Sequence, residues 1–191
     1  MLRLAVVAAL IVAGIVYARR RVDPTLFKER RRPGGATQDP AALVLIRLSA
    51  LASVVLLTLD RAWLHWSDVV PAAIEWIGVA LFTLAGGLVV TSVVANRFFS
   101  SAVRIQGDRG HHVIVTGPYG IVRHPGYLGM MTMVPALMLA GGSWMAAAVG
   151  LTYSALIGRR ASTEDRFLQQ KLDGYLDYAR RVRYRLVPFV W

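Results

Sequence analysis

Apolar runs of close to twenty residues, separated by short basic segments, constrain this chain more than any other feature. At about 1.5 Å of rise per residue, such a run matches the ~30 Å hydrocarbon core of a bilayer. Three occur, at residues 2–18, 41–59 and 73–95. Each reads as a transmembrane helix, and the charges between them read as topology signals. The first run carries its main positive charge after the apolar stretch, at Arg19, Arg20 and Arg21, with no small-residue cleavage site before it. It therefore reads as a span and not as a signal peptide.

The loop at 19–40 adds Lys28, Arg30, Arg31 and Arg32, which places it in the cytoplasm and the N-terminus outside. The same charges would also suit anionic headgroups. Residues 60–72 are nearly balanced in charge, and Trp63 and Trp66 suit an interfacial aromatic belt. The third span returns to the cytoplasm, with Glu75 near its outer end, in reach of the headgroups without burial. A further apolar stretch at 127–158 is interrupted by Gly141-Gly142-Ser143, a turn signal. It reads as a tight hairpin of two helices, about 127–140 and 144–158, whose first arm is short for a full crossing. In the tail, 159–191, Leu168, Leu172, Tyr175, Leu176 and Ala179 recur at spacings of three and four, an amphipathic helical pattern. Its eight basic and four acidic residues put it in the cytoplasm.

The expected fold is an all-α integral membrane protein. It has about five transmembrane helices, three spans plus a C-terminal helical hairpin, with a cytoplasmic amphipathic C-terminal helix. Residues 1–99 supply the N-terminal helices; residues 100–191 supply a polar loop, the hairpin and the tail of one integrated domain. Gly78, Gly86 and Gly87 in the third span allow close helix packing within the chain or between chains, the former being the preferred reading, and the sequence leaves the oligomeric state open.

Composition narrows the chemistry. The absence of cysteine excludes disulfides and thiolate ligands, and four histidines leave little for a metal site, so no metal is expected. A net charge of +11 would suggest nucleic acid in a soluble protein. Here the charges lie between apolar blocks, so the expected partner is the lipid bilayer and not nucleic acid. The use of 20 arginines against 2 lysines points to a GC-rich, bacterial genome and hence to a bacterial cell membrane.

Reactive side chains concentrate in two cytoplasmic segments, 104–127 and 159–188. In the first, Gly117-Pro118 and His124-Pro125-Gly126 are turn formers that present Tyr119, Arg123, His124 and Tyr127 together. Pro125 opens the fourth span, a position where proline is tolerated, and the amides of that first turn suit an anion. S-adenosylmethionine would need a partner for its carboxylate, a slot for its adenine and aromatic faces for its sulfonium. Tyr119, Tyr127, Arg123 and the histidines can supply them. The alternative is that Arg123 and His124 anchor a helix end at phosphate headgroups. In the second segment, Arg159, Arg160, Glu164 and Asp165 follow the hairpin. The acids can take a substrate proton or grip an amino group. Alternatively they sit in the first turn of a helix capped by Ser162.

His111, Thr116-Gly117-Pro118-Tyr119 and Arg123-His124-Pro125-Gly126-Tyr127-Leu128-Gly129, in that order and spacing, resemble the motif of the isoprenylcysteine carboxyl methyltransferase and phospholipid methyltransferase superfamily. The tail resembles that family too, through Arg160, Glu164-Asp165, Leu168, Tyr175, Tyr178, Val182 and the ending Arg185-Leu186-Val187-Pro188. Asp165 stands where the family usually has a second Glu, which puts a reach-dependent role there in doubt. The resemblance covers residues 100–190. It implies a membrane enzyme that moves a methyl group from S-adenosylmethionine, leaving S-adenosylhomocysteine, to a lipophilic acceptor at the cytoplasmic face. It implies that His111, Gly117, Pro118, Tyr119, Arg123, His124, Pro125 and Tyr127 form the cofactor pocket. Arg160 and Glu164 would lie beside the cofactor or acceptor, Arg160 to orient a carboxylate and Glu164 to take a proton from an amine, phenol or thiol. Two other readings stand beside it: an NADPH-dependent reductase of the steroid-reductase type, and a non-enzymatic membrane scaffold.

Overall fold

The computed structural model describes residues 2–21, 40–67, 69–100 and 103–190. Lys28, Arg30, Arg31 and Arg32 of the first basic loop lie outside the described residues. All regular structure among the described residues is helical. It comprises α1 (Leu2–Arg21), α2 (Pro40–Leu59) with a π-helical turn at Asp60–Leu64, α3 (Ala72–Ala95), α4 (Pro125–Ala140), α5 (Trp144–Lys171) and α6 (Tyr175–Arg181). Among the described residues, two helices, Ala41–Leu64 and Ala72–Ala95, are long and apolar enough to cross a membrane, and Pro125–Ala140 is apolar but shorter. Leu45, Leu48, Leu51 and Val55 on α2 and Leu84 on α3 face outward, a surface suited to hydrocarbon.

The first five helices run antiparallel in turn, so the bundle has two ends. At the turn end lie the starts of α1 and α3, the π-turn and the α4–α5 connection. Glu75 is buried there, 7% exposed, and paired with Arg3. The expectation of an unburied Glu75 is thus corrected: a carboxylate inside a bundle calls for a cationic partner, and Arg3 of α1 is that partner. Asp60 is also buried; it accepts the Ser143 hydroxyl and the amides of Trp66 (2.8 Å) and Ser67 (3.2 Å). Ser67 Oγ in turn accepts the Trp144 amide at 3.0 Å. This set ties the α2–α3 connection to the α4–α5 turn. Trp63 and Trp66 are exposed beside it.

α3 and α4 approach closely because both carry glycine where they cross. A Cβ on Gly78 would sit 2.5 Å from the Ala140 amide nitrogen, and one on Gly129 would sit 2.7 Å from the Ala85 carbonyl oxygen. Gly86 and Gly87 have no such neighbour, so of the three glycines in the third span only Gly78 serves that contact.

α5 departs from expectation. It does not stop near residue 158 but runs unbroken over 28 residues from Trp144 to Lys171, so residues 159–171 of the tail belong to it. Gly158-Arg159-Arg160 marks a change in surroundings, not a break in the backbone. Ser162 is consequently no cap; its hydroxyl donates to the Gly158 carbonyl one turn back, 3.1 Å. The helix is capped by Ser143, whose Oγ accepts the Ala146 amide at 3.1 Å. Past Gly174, at φ +77°, α6 turns Tyr175 and Tyr178 inward onto Leu168, Leu172 and Ala179, while Leu176 of the expected stripe is exposed.

Candidate active site

At the loop end, the segment between α3 and α4 folds over the bundle. α3 ends at Asn96, whose side chain accepts the Phe98 amide (2.9 Å) and donates to the Tyr119 hydroxyl (3.3 Å). Gln106 is buried and braces the next turn: its amide side chain donates to the Phe98 carbonyl at 2.8 Å and its backbone N–H donates to His111 Nδ1 at 3.2 Å. That bond leaves the ring proton on Nε2. Burial, with His112 and Arg109 nearby, depresses the His111 pKa to about 4. His111 is therefore a neutral N–H donor at pH 7, stacked on Phe98 with ring centroids 4.4 Å apart.

Arg123 and His124 precede α4 and face inward onto α5. Arg123 Nε and Nη2 donate to Asp165 at 2.8 and 3.1 Å, and Nη1 donates to the carbonyls of Val182 and Arg183 at 2.9 and 2.8 Å. His124 Nε2, the Tyr175 hydroxyl, Gln169 Nε2 and Arg185 Nε reach the same carboxylate at 2.8–3.1 Å. Burial alone would raise the Asp165 pKa, but hydrogen bonds from His124 and Arg123 and their charges hold it well below the carboxylate range. The amides of Arg123 and His124 donate to the carbonyls of Tyr184 and Arg185, 2.9 Å each. Residues 182–186 are thereby strapped to the loop, and Leu186, fully buried, inserts among Ile46, Tyr127, Ile157 and Ala161. Tyr178 completes the strap with a 2.7 Å bond to the Tyr119 carbonyl.

Above this floor lies a cavity of about 240 Å³. Its polar wall includes Arg104, His111, His124, Arg160 and Glu164; its apolar wall includes Leu43, Ile46, Met130 and Ile157. On the wall, Arg160 Nε donates to the Tyr127 hydroxyl (3.0 Å), which donates to Glu164 Oε2 (2.6 Å). Because Arg160 and Glu164 are one turn apart on α5, both reach the ring that α4 presents.

The structure thus gathers His111, Tyr119, Arg123, His124, Tyr127, Arg160 and Glu164 around one cavity. Gly117, Pro118 and Pro125 do not line it; they shape the turns that carry those that do. The backbone shows how: Gly117 has φ +59°, Gly117–Gly120 forms a 3-10 turn and Pro125 is the first residue of α4. Arg123 is mostly committed to Asp165 and the strap. Asp165, doubtful in the sequence because of its short reach, is the hub, for it lies within reach of all its partners. Phe98, Arg104 and Gln106 carried no sequence signal, since their roles arise from how a loop folds. Among the described residues, no group of three or more His, Asp or Glu converges as a metal site.

A profile of the isoprenylcysteine carboxyl methyltransferase (ICMT) family matches residues 76–170, which span α3 to α5 and most of the cavity. A nickel-cobalt-cadmium resistance protein of Alcaligenes xylosoxydans xylosoxydans is 32% identical over 162 residues, 78% of this chain and 70% of that protein. Protein-S-isoprenylcysteine O-methyltransferase B of Arabidopsis thaliana is 29% identical over 121 residues, 60% of this chain and 61% of that protein. Delta(14)-sterol reductase of Mus musculus is 35% identical over 85 residues, 43% of this chain but 20% of the reductase.

Proposed function

The chain belongs to the isoprenylcysteine carboxyl methyltransferase family, and from that membership together with the cavity we propose that it methylates a lipophilic acceptor using S-adenosylmethionine. The observation that carries the reading is the Arg160–Tyr127–Glu164 group, set between an apolar wall of helix side chains and a basic loop. The donor set fits the cofactor. Its carboxylate calls for cations or N–H donors, which Arg104, Arg160 and the His111 Nε2–H offer. Its amino group calls for a carboxylate, which Glu164 offers; its sulfonium calls for aromatic faces, which Tyr127 and Phe98 offer.

When bound, S-adenosylmethionine supplies an electrophilic methyl: an acceptor lone pair bonds to its carbon as the C–S bond breaks, and the pair left on sulfur makes a neutral thioether. The chain's own residues align and shelter the reactants. Tyr127, fixed by two bonds, orients Glu164 and Arg160 toward the cavity. The apolar wall excludes water, which favours loss of charge at the reacting centre. Glu164 takes the proton of a protic acceptor such as an amine, phenol or thiol, and Arg160 orients an acceptor that is already a carboxylate.

The proposed topology has five crossings, α1 to α5, with the loop end in the cytoplasm beside Arg19, Arg20 and Arg21 and the N-terminus outside. In that arrangement the cofactor enters from water and the acceptor from the bilayer, past the apolar wall. The test is calorimetric titration of detergent-purified protein with S-adenosylhomocysteine, with NADPH in parallel. Saturable binding of S-adenosylhomocysteine is expected, weakened at least about tenfold in Arg160→Ala, the loss of one charged hydrogen-bond donor. Binding of NADPH without S-adenosylhomocysteine would overturn the reading in favour of a reductase.

A further inference from the structure

The cavity is long, and its chemistry changes along its length. Tyr153, Ile157, Arg160, Glu164 and Leu168 all line it and recur on α5 at spacings of three and four, so one face of that helix forms its long side. At about 1.5 Å per residue, Tyr153 lies roughly 10 Å from Arg160 along α5. Ile46, Met130 and Ile157 belong to the same apolar cluster as Tyr153 and line the cavity with it, so that arm is apolar.

Five tyrosines line the cavity, and four have partners for their hydroxyls. Tyr119 takes Asn96, Tyr127 takes Glu164 and Arg160, Tyr175 takes Asp165, and Tyr178 takes the Tyr119 carbonyl. The Tyr153 hydroxyl hydrogen-bonds no described residue, although its ring is half-buried against the cluster around Ile46 and Ile157. Other hydroxyls of these helices, at Ser53, Thr83, Ser92, Thr132 and Ser154, donate to a backbone carbonyl of their own helix one turn back. A phenol on a stiff ring cannot fold back in that way. Tyr153 lines the cavity, so its O–H is open to whatever occupies that space, and within membrane helices such a polar group marks a ligand path.

We propose that Tyr153 determines specificity in the acceptor arm by donating its O–H to a carbonyl oxygen of the acceptor. The acceptor is then an amphiphile whose carbonyl lies roughly 10 Å from the methylated atom, the interval from Arg160 to Tyr153 along α5, with an apolar stretch between. This rests on the methyltransferase reading, because Arg160 and Glu164 fix the reacting end.

Two probes of equal length test it: hexadecane-1-thiol, and an analogue with an ester carbonyl placed about 10 Å from the thiol, the same helical interval. Affinity is read by native mass spectrometry of the detergent-purified protein, and methyl transfer is read with radiolabelled S-adenosylmethionine. The native protein should prefer the ester probe by roughly 3- to 10-fold, the worth of one neutral hydrogen bond. Tyr153→Phe should bring the ratio close to one while S-adenosylhomocysteine binds as before. A ratio near one in the native protein, a ratio that survives Tyr153→Phe, or failure of both probes to bind protein that holds S-adenosylhomocysteine would overturn the assignment. Loss of S-adenosylhomocysteine binding in the native protein would instead sink the methyltransferase reading, and the ratio of probe affinities would still judge Tyr153.

Discussion

Asp60 and Asp165 occupy opposite ends of the bundle, and each is buried, 1% and 0% exposed. Each joins a connecting segment to α5 or to the turn that starts it. Their partners differ. Asp60 accepts from a serine hydroxyl and two backbone amides, with no cation among these bonds. Asp165 accepts from two arginines, a histidine, a tyrosine and a glutamine, directly beneath the cavity. Neutral donors suffice where a carboxylate only has to hold two loops together. Where the carboxylate also has to set Arg123 and His124 at the wall of the cavity, the donors include those side chains, and the fastening and the cavity wall become one object.

The largest expected effect comes from Asp165→Ala. It leaves Arg123, buried, without its counter-charge and releases the strap at residues 182–186. A loss of about 3–5 kcal/mol in stability is expected, read by thermal unfolding in detergent, together with loss of S-adenosylhomocysteine binding. Asp60→Ala should cost less, about 1–3 kcal/mol for the donors left unsatisfied, and should leave S-adenosylhomocysteine affinity unchanged. If it weakened that affinity as much as Asp165→Ala does, the separation of a holding end from a binding end would fail. A smaller, graded effect needs no cofactor. His111 has a pKa near 4 in the fold against 6.5 for a free histidine, so the unfolded chain binds the extra proton first. Stability should fall as pH drops from 6.5 toward 4, and His111→Phe should flatten that window. Asp165, held below its free value of 3.8, contributes stability that is present above that pH and is lost below it. The His111 trend should persist in Asp60→Ala, since it arises at the other end.

The helices and the residues around the cavity were legible in the sequence to very different depths. Long apolar runs show as hydropathy whatever they pack against, and the loop from His111 to Gly129 announces itself by turn formers between reactive side chains. Pairings across long stretches of chain do not show. Nothing local to Glu75 indicates that Arg3 covers it, and nothing local to Asp165 indicates that segments 42 residues before it and 20 after it converge there. The length of α5 was hidden for another reason. A helix leaving an apolar region changes composition at Gly158-Arg159-Arg160 without changing backbone geometry, so a polarity boundary resembles a helix end.

That unbroken helix has a metrical consequence. α5 begins beside the Ser143–Asp60 contact and carries Glu164 twenty residues after Trp144, a separation of about 30 Å at the α-helical rise. The hydrocarbon slab of a bilayer is ~30 Å thick. In the proposed five-crossing topology, with its start fastened at one face, the helix would work as a depth gauge: it would set Glu164 at the opposite water boundary, at the level where an amphiphile anchored by its tail would float its headgroup. Thickness of the surrounding lipid would then govern the register between enzyme and acceptor, a variable set by the membrane and not by any residue of the cavity.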